Sequence, residues 1–219
     1  MTRFHKMAYY NIHTHYPTTH PEDISIINIL IRGGESYHLE DGQNYSAGIH
    51  PWYINNIRQQ LDELERLCTH PDIVAIGEAG FDKIRGGTPD VQQEAFQTQA
   101  LLAEKVNKPL IIHCVKAYDE IIKNKKVIKP QVPWIIHGFR GNGKQAEQLL
   151  RQGFYLSFGQ YFNPKALKVV YPDYLFAETD DADIDIRSVY QQITENLSYP
   201  VEETISSLTL NIKKVFPGL

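Results

Sequence analysis

Residues 109–114 read PLIIHC, and residues 133–138 read PWIIHG. In each, a proline opens a short apolar run that ends in a histidine, His113 or His137. Such a run, with no polar alternation, suits a strand buried on both faces of a parallel sheet. The pattern recurs along the chain. It predicts strands over 8–12, 24–31, 46–49, 73–76, 110–112, 134–136, 155–158 and 174–177. Between them the apolar period lengthens to that of a helix, as with Ile57, Leu61, Leu64 and Leu67. Helices are expected over 54–67, 88–106, 116–126, 144–152, 185–196 and 201–215. The second begins with Thr88 as its N-cap, Pro89 at the first helical position and Asp90 beside them. Strands alternating with helices predict an α/β fold, a (β/α)8 barrel. From Tyr16 to Ser46 the chain offers one strand and a polar loop, so the barrel is shortened by a missing helix near strands one and two.

The 219 residues suit one barrel domain spanning 1–219, with residues 1–6, MTRFHK, reading as a polar leader and Met7 as an alternative start. A net charge of −4 argues against a surface coated in basic charge for gripping nucleic acid, and leaves room for a local basic pocket. Cys68 and Cys114 lack disulfide or zinc-finger spacing and read as free thiols of a reducing cytoplasm. No apolar run approaches membrane length. A cytoplasmic monomer with no obligate protein partner is the expectation.

In such a barrel the chemistry sits where the strands end. The first strand runs into NIHTHYP, where Pro17 stops it. Residues two apart in a strand share a face, so His13 and His15 project together. Strand three leads to His50, strand four to Glu78, strands five and six to His113 and His137, and strand eight to Asp180. Six of the eight strands thus end in a residue type that binds metal. One buried histidine is usually a hydrogen-bonded core residue. Many converging on one mouth need partners, and a metal ion satisfies several imidazoles at once.

The ordered set NIHTH, AGIHPW, AIGEAGFD, PLIIHC, WIIHGFRG, ETD and NIKKVF resembles the TatD family of metal-dependent hydrolases, over nearly the whole chain from Tyr9 to Phe216. The resemblance implies a TIM barrel related to the amidohydrolases. It implies magnesium- or manganese-dependent deoxyribonuclease activity from the 3′ end of DNA, with D-aminoacyl-tRNA deacylation also ascribed to the family. Carried over by residue, the metal ligands are His13, His15, Glu78, His113, His137 and Asp180, with Glu78 bridging two ions. The chain departs from the pattern in several places. Asn11 stands where the family has Asp, Val115 with Lys116 beside it where an arginine is common, and Arg140 where a small polar residue is usual. After ETD it reads DADIDI and enters a helix directly. The ligand core is intact, and the substrate-facing loops are altered.

Two divalent ions, whether Mg, Mn or Zn, held about 4 Å apart can activate water and clamp phosphoryl oxygens. His13, His15 and Asp180 would hold one, His113 and His137 the other, with Glu78 shared. Asp180 is also the candidate general base. His50 reads as support behind the ligands or as packing. Asp82 reads as a partner for the free nitrogen of a ligand histidine or as a loop cap. Arg140, Lys116 and Arg85 are candidates for phosphate, Arg140 foremost because a guanidinium grips phosphate with two donors. Cys114 should face away from the ligands. His5, His20, His38 and His70 read as solvated. The leading function is a two-metal phosphodiesterase, a 3′–5′ exodeoxyribonuclease with DNA 3′ ends as substrate. The rivals are a metal-dependent ester or amide hydrolase, such as a D-aminoacyl-tRNA deacylase or a small-molecule amidohydrolase, and a barrel that binds metal without turnover.

Overall fold

The computed structural model describes residues 8–219. Residues 1–6, Met7 and His5 lie outside them. Eight parallel strands pair in chain order: β1 (Tyr10–Thr14), β2 (Ile24–Leu30), β3 (Asn44–Gly48), β4 (Ile73–Asp82), β5 (Leu110–Val115), β6 (Trp134–Ile136), β7 (Phe154–Phe158) and β8 (Leu175–Ala177). The helices are α1 (Ile57–Leu67), α2 (Pro89–Val106), α3 (Tyr118–Ile128), α4 (Gly143–Leu150), α5 (Pro164–Val170), α6 (Ile186–Leu197) and α7 (Val201–Val215). This is the expected (β/α)8 barrel. Among the described residues no helix lies between β1 and β2 or between β2 and β3.

The ring closes through one parallel bridge, Thr14 against Asp180. Two backbone bonds make it: Asp180 N–H donates to the His13 carbonyl (3.0 Å), and His15 N–H to the Asp180 carbonyl (3.1 Å). Asn11 reinforces this seam. Its amide donates to Thr179 Oγ1 (2.8 Å) and its carbonyl accepts from Thr179 N–H (3.1 Å). The neutral Asn11 therefore fills both roles where the family has Asp.

Inside the barrel Ile12, Ile26, Ala75, Ile111, Ile135, Tyr155 and Phe176 form one apolar cluster, joined by Ile212, Val215 and Phe216 from the end of α7. A second, larger cluster fills the space between strands and helices. Both are what continuous apolar strands require. Glycine is demanded at Gly80, where a Cβ would drive into the His113 carbonyl oxygen. At Gly77 the backbone has φ 134°, and a Cβ would meet the Ile111 carbonyl. These two residues let β5 lie close to β4 on either side of Glu78.

Three local expectations change. β4 runs on to Asp82, so Glu78 lies in mid-strand rather than at a strand end. The ladder depends on backbone groups and passes through polar residues that a hydropathy reading takes as a stop. Thr88 occupies the N-cap of α2 but makes no side-chain capping bond. α5 was not expected. Asn163 caps it by accepting from Lys165 and Ala166 N–H, and Ala166, Leu167 and Val170 are its buried face.

Candidate metal centre

The centre is built around one carboxylate. Glu78 is buried in β4, and its N–H donates to Asn28 Oδ1 on β2 (2.9 Å), which also accepts from the Ser46 hydroxyl (3.0 Å). Its two oxygens face different neighbours. Oε1 lies 2.5 Å from His113 Nδ1, 2.7 Å from His137 Nε2 and 3.1 Å from His50 Nε2. Oε2 lies 3.4 Å from His13 Nε2 and 3.9 Å from His15 Nε2. Asp180 Oδ1 faces the same two imidazoles, at 3.5 and 3.6 Å. Three overlapping groups have donor atoms close enough to hold an ion: His13, His15 and Glu78; His13, His137 and Asp180; and His50, Glu78 and His113.

The donor set fits divalent metal on an observation independent of any motif. His13 is wholly buried, and neither ring nitrogen has a hydrogen-bond partner. A buried imidazole left that way is costly. Its Nε2 points between two carboxylate oxygens, both slightly too far for hydrogen bonds, as expected where a cation belongs. Mixed imidazole and carboxylate donors suit zinc, manganese or iron.

Two carboxylates stand behind the histidines. Asp82 Oδ2 is 3.3 Å from His113 Nε2 and accepts the Trp52 indole N–H at 2.7 Å. Glu178 Oε1 is 3.3 Å from His137 Nδ1 and accepts the Gly138 N–H at 2.6 Å. Each can fix the tautomer and orientation of a ligand histidine. The sequence reading named Asp82 and missed Glu178. The available signal was its place two residues before Asp180, hence on the same face, at the end of a buried strand.

The protonation pattern follows from burial and charge. Burial and neighbouring His137 push His13 down. The neighbouring carboxylates of Asp180 and Glu78 outweigh them and bring it up to about 9. Burial also works against protonated His137, but Glu78 and Glu178 hold it well above the usual histidine range. Burial opposes ionisation of Glu78, yet His137, His113 and His13 keep it well below the usual range. Asp180 is likewise held low, against burial, by His13 and His15. His50 is lowered by burial, with Glu78 opposing. The protonated forms of His13 and His137 are thus favoured among these carboxylates, where cationic charge is wanted.

The structure gathers all six sequence-named ligands, adds His50 at ligand-like distance, and sets Asp82 behind His113. It does not bring Arg140 or Lys116 into the cluster. Both are exposed past the ends of β6 and β5, Lys116 with φ 55° and Arg140 with its guanidinium 5.5 Å from the Tyr161 ring centre. Arg85 lies 4.0 Å over the Trp52 ring. Cys114 is half-buried against the outer core, and burial pushes its thiol up to about 12. Exposed His20 pairs with Asp185 at 2.8 Å.

Among the described residues no helix is long and apolar enough to cross a membrane. A family model described as TatD related DNase matches residues 35–217. An uncharacterised metal-dependent hydrolase of Bacillus subtilis, YabD, is 32% identical over 196 residues, covering 78% of this chain and 77% of that protein. A 3′–5′ ssDNA/RNA exonuclease TatD of Erwinia tasmaniensis is 32% identical over 117 residues, covering 51% of this chain and 44% of its own length. The chain therefore aligns with less than half of that exonuclease. Among solved structures, the TatD homologue YjjV of Escherichia coli superposes with a TM-score of 0.76 at 18% identity, covering 96% of this chain and 98% of that one.

Proposed function

This chain belongs to the TatD-related DNase family of metal-dependent hydrolases, and on that premise we propose that it is a two-metal phosphodiesterase that shortens nucleic-acid strands from the 3′ end. The observation that carries the reading is the division of Glu78. One oxygen faces His113, His137 and His50, the other His13 and His15. A carboxylate so placed can be shared by two ions. Two divalent ions bound there would clamp the oxygens of a phosphoryl group and make a water acidic near neutral pH.

The protein's own contribution divides by exposure. The Glu78 side chain is only 4% exposed, so it would serve to hold metal and does not meet solvent. The Asp180 side chain is 30% exposed and faces the same imidazoles, so it can meet an entering water. Ionised at neutral pH, Asp180 accepts the proton of the attacking water and passes it to bulk solvent. Asp82 and Glu178 keep the imidazoles of His113 and His137 aimed at Glu78. Buried walls around the cluster keep competing water low and strengthen each charge interaction. Relatives named as ssDNA/RNA exonucleases support a nucleic-acid substrate.

Cleavage of a 5′-labelled single-stranded DNA with manganese or magnesium tests this, beside an EDTA control. The expected result is a ladder shrinking from the 3′ end, abolished by EDTA. Asp180→Asn should reduce the rate by about 10²–10⁴, the range for a general base, with the fold retained by circular dichroism. No cleavage by protein shown to contain metal would sink the nuclease reading and direct attention to ester and amide substrates. Full turnover in Asp180→Asn would remove Asp180 from the chemistry.

A further inference from the structure

Trp52 and Arg85 form a built platform beside the centre that neither the ligand set nor its supports account for. Trp52 lies two residues beyond His50. Its ring stands edge-on to His50 (centroids 4.7 Å apart) and to His113 (5.7 Å). Its indole N–H is spent on Asp82, the carboxylate behind His113. Arg85 is exposed, and its guanidinium lies 4.0 Å from the Trp52 ring centre. Among the described residues it has no carboxylate partner.

The segment carrying Arg85 is held in place by Asp82 and by the Pro51 carbonyl. Ile84 and Arg85 N–H both donate to Asp82 Oδ1, at 2.7 and 3.0 Å. Gly87 N–H donates to the Pro51 carbonyl at 3.2 Å. Gly86, with φ 104°, lies so close that a Cβ there would meet the same carbonyl. On the side away from Trp52, Arg85 also lines a cleft of about 860 Å³ between the end of β4, α2 and α3. The guanidinium sits over the indole, exposed and without a carboxylate partner among the described residues. It presents a planar fork of donors at fixed height, which is what phosphate recognition needs.

We propose that Trp52 and Arg85 hold the strand beside the cleavage point: Arg85, seated over Trp52, grips the phosphate next to the scissile one. This rests on the phosphodiesterase reading and deepens it. The platform makes the enzyme favour a polynucleotide over an isolated phosphodiester. Stacking an arginine on an aromatic ring beside a backbone phosphate is a common device for single strands.

The test compares wild type, Arg85→Ala and Arg85→Lys with manganese on two substrates, a single-stranded oligodeoxynucleotide and bis(p-nitrophenyl) phosphate. The small diester has no neighbouring phosphate. Arg85→Ala should raise KM for the oligonucleotide about 10-fold or more, with kcat changed less than about threefold, since a charge-assisted pair is worth about that factor. The loss on the oligonucleotide should exceed that on the small diester by about 10-fold. Arg85→Lys, a point charge without the planar fork, should recover only part. Equal losses on the two substrates, or an unchanged KM for the oligonucleotide, would overturn the platform. Wild-type hydrolysis of the small diester without DNA cleavage would overturn it while leaving phosphodiester chemistry standing. Hydrolysis of neither by metal-loaded protein would overturn the phosphodiesterase reading itself.

Discussion

The two sides of the barrel are built differently. From β4 to β8 a helix follows each strand. From β1 to β3 residues 15–23 and 31–43 make the connections, with no helix among them. There Tyr37 and Leu39 of the second connection, with Ile27 and Ile29, pack against the outer core. Arg187 of α6 grips the first connection, donating to Asp23 (3.1 Å) and Glu22 (3.0 Å). Yet His13 on the thin side is as well buried as His137 on the covered side. The contrast places the centre on the strand ladder and its closing seam rather than on the helix layer.

If the support behind each ligand sets the strength of the centre, removing one should be costly even on the fully covered side. Glu178→Gln should weaken metal affinity or lower activity about 10–100-fold. A chelator competition and an oligonucleotide assay, with a thermal melt to show folding, measure this. Unchanged affinity would mean that helix packing alone aims His137. On the thin side, metal removal and pH probe His13. Raised to about 9, protonated His13 contributes stability that is fully present below about 6.5. That contribution fades as pH rises through about 9. The metal-free protein should therefore lose a few degrees of Tm between these values. Metal affinity should rise over the same window, because binding expels those protons. A calorimetric series with and without manganese checks both signs, and a metal-free Tm that climbed with pH would contradict the proton placement. The smallest effect is expected at Arg187→Ala. That clasp is about a third exposed on the arginine side, though it leaves Asp23 buried without its cation. A loss of about 1 kcal/mol, or ~2–4 °C in Tm, with turnover within twofold, would confirm that the thin side matters for stability rather than catalysis. A large fall in turnover would break the comparison.

Most of the strands were legible because parallel sheets bury both faces, which leaves apolar runs such as residues 110–112 and Trp134–Ile136. His13, Glu78, His113, His137 and Asp180 were legible because polar residues at the ends of such runs have few other reasons to be there. Less was readable where partners are distant in sequence. Glu178 has meaning only beside His137, 41 positions earlier. His50 could not be placed until β3 and β4 set it against Glu78. The short α5 carries only three buried residues, too few to register as a period. The platform at Trp52 and Arg85 joins two loops that pattern alone cannot bring together.

The bridge that closes the ring is formed by backbone of the ligand residues themselves, at the first strand and the last. Synthesis order therefore governs when a hydrolytic centre can exist. A ribosome-bound chain that has not emitted β8 lacks Asp180 and the seam together. Metal that binds only the closed ring stabilises closure by mass action. A complete hydrolytic centre then arrives only with the final strand.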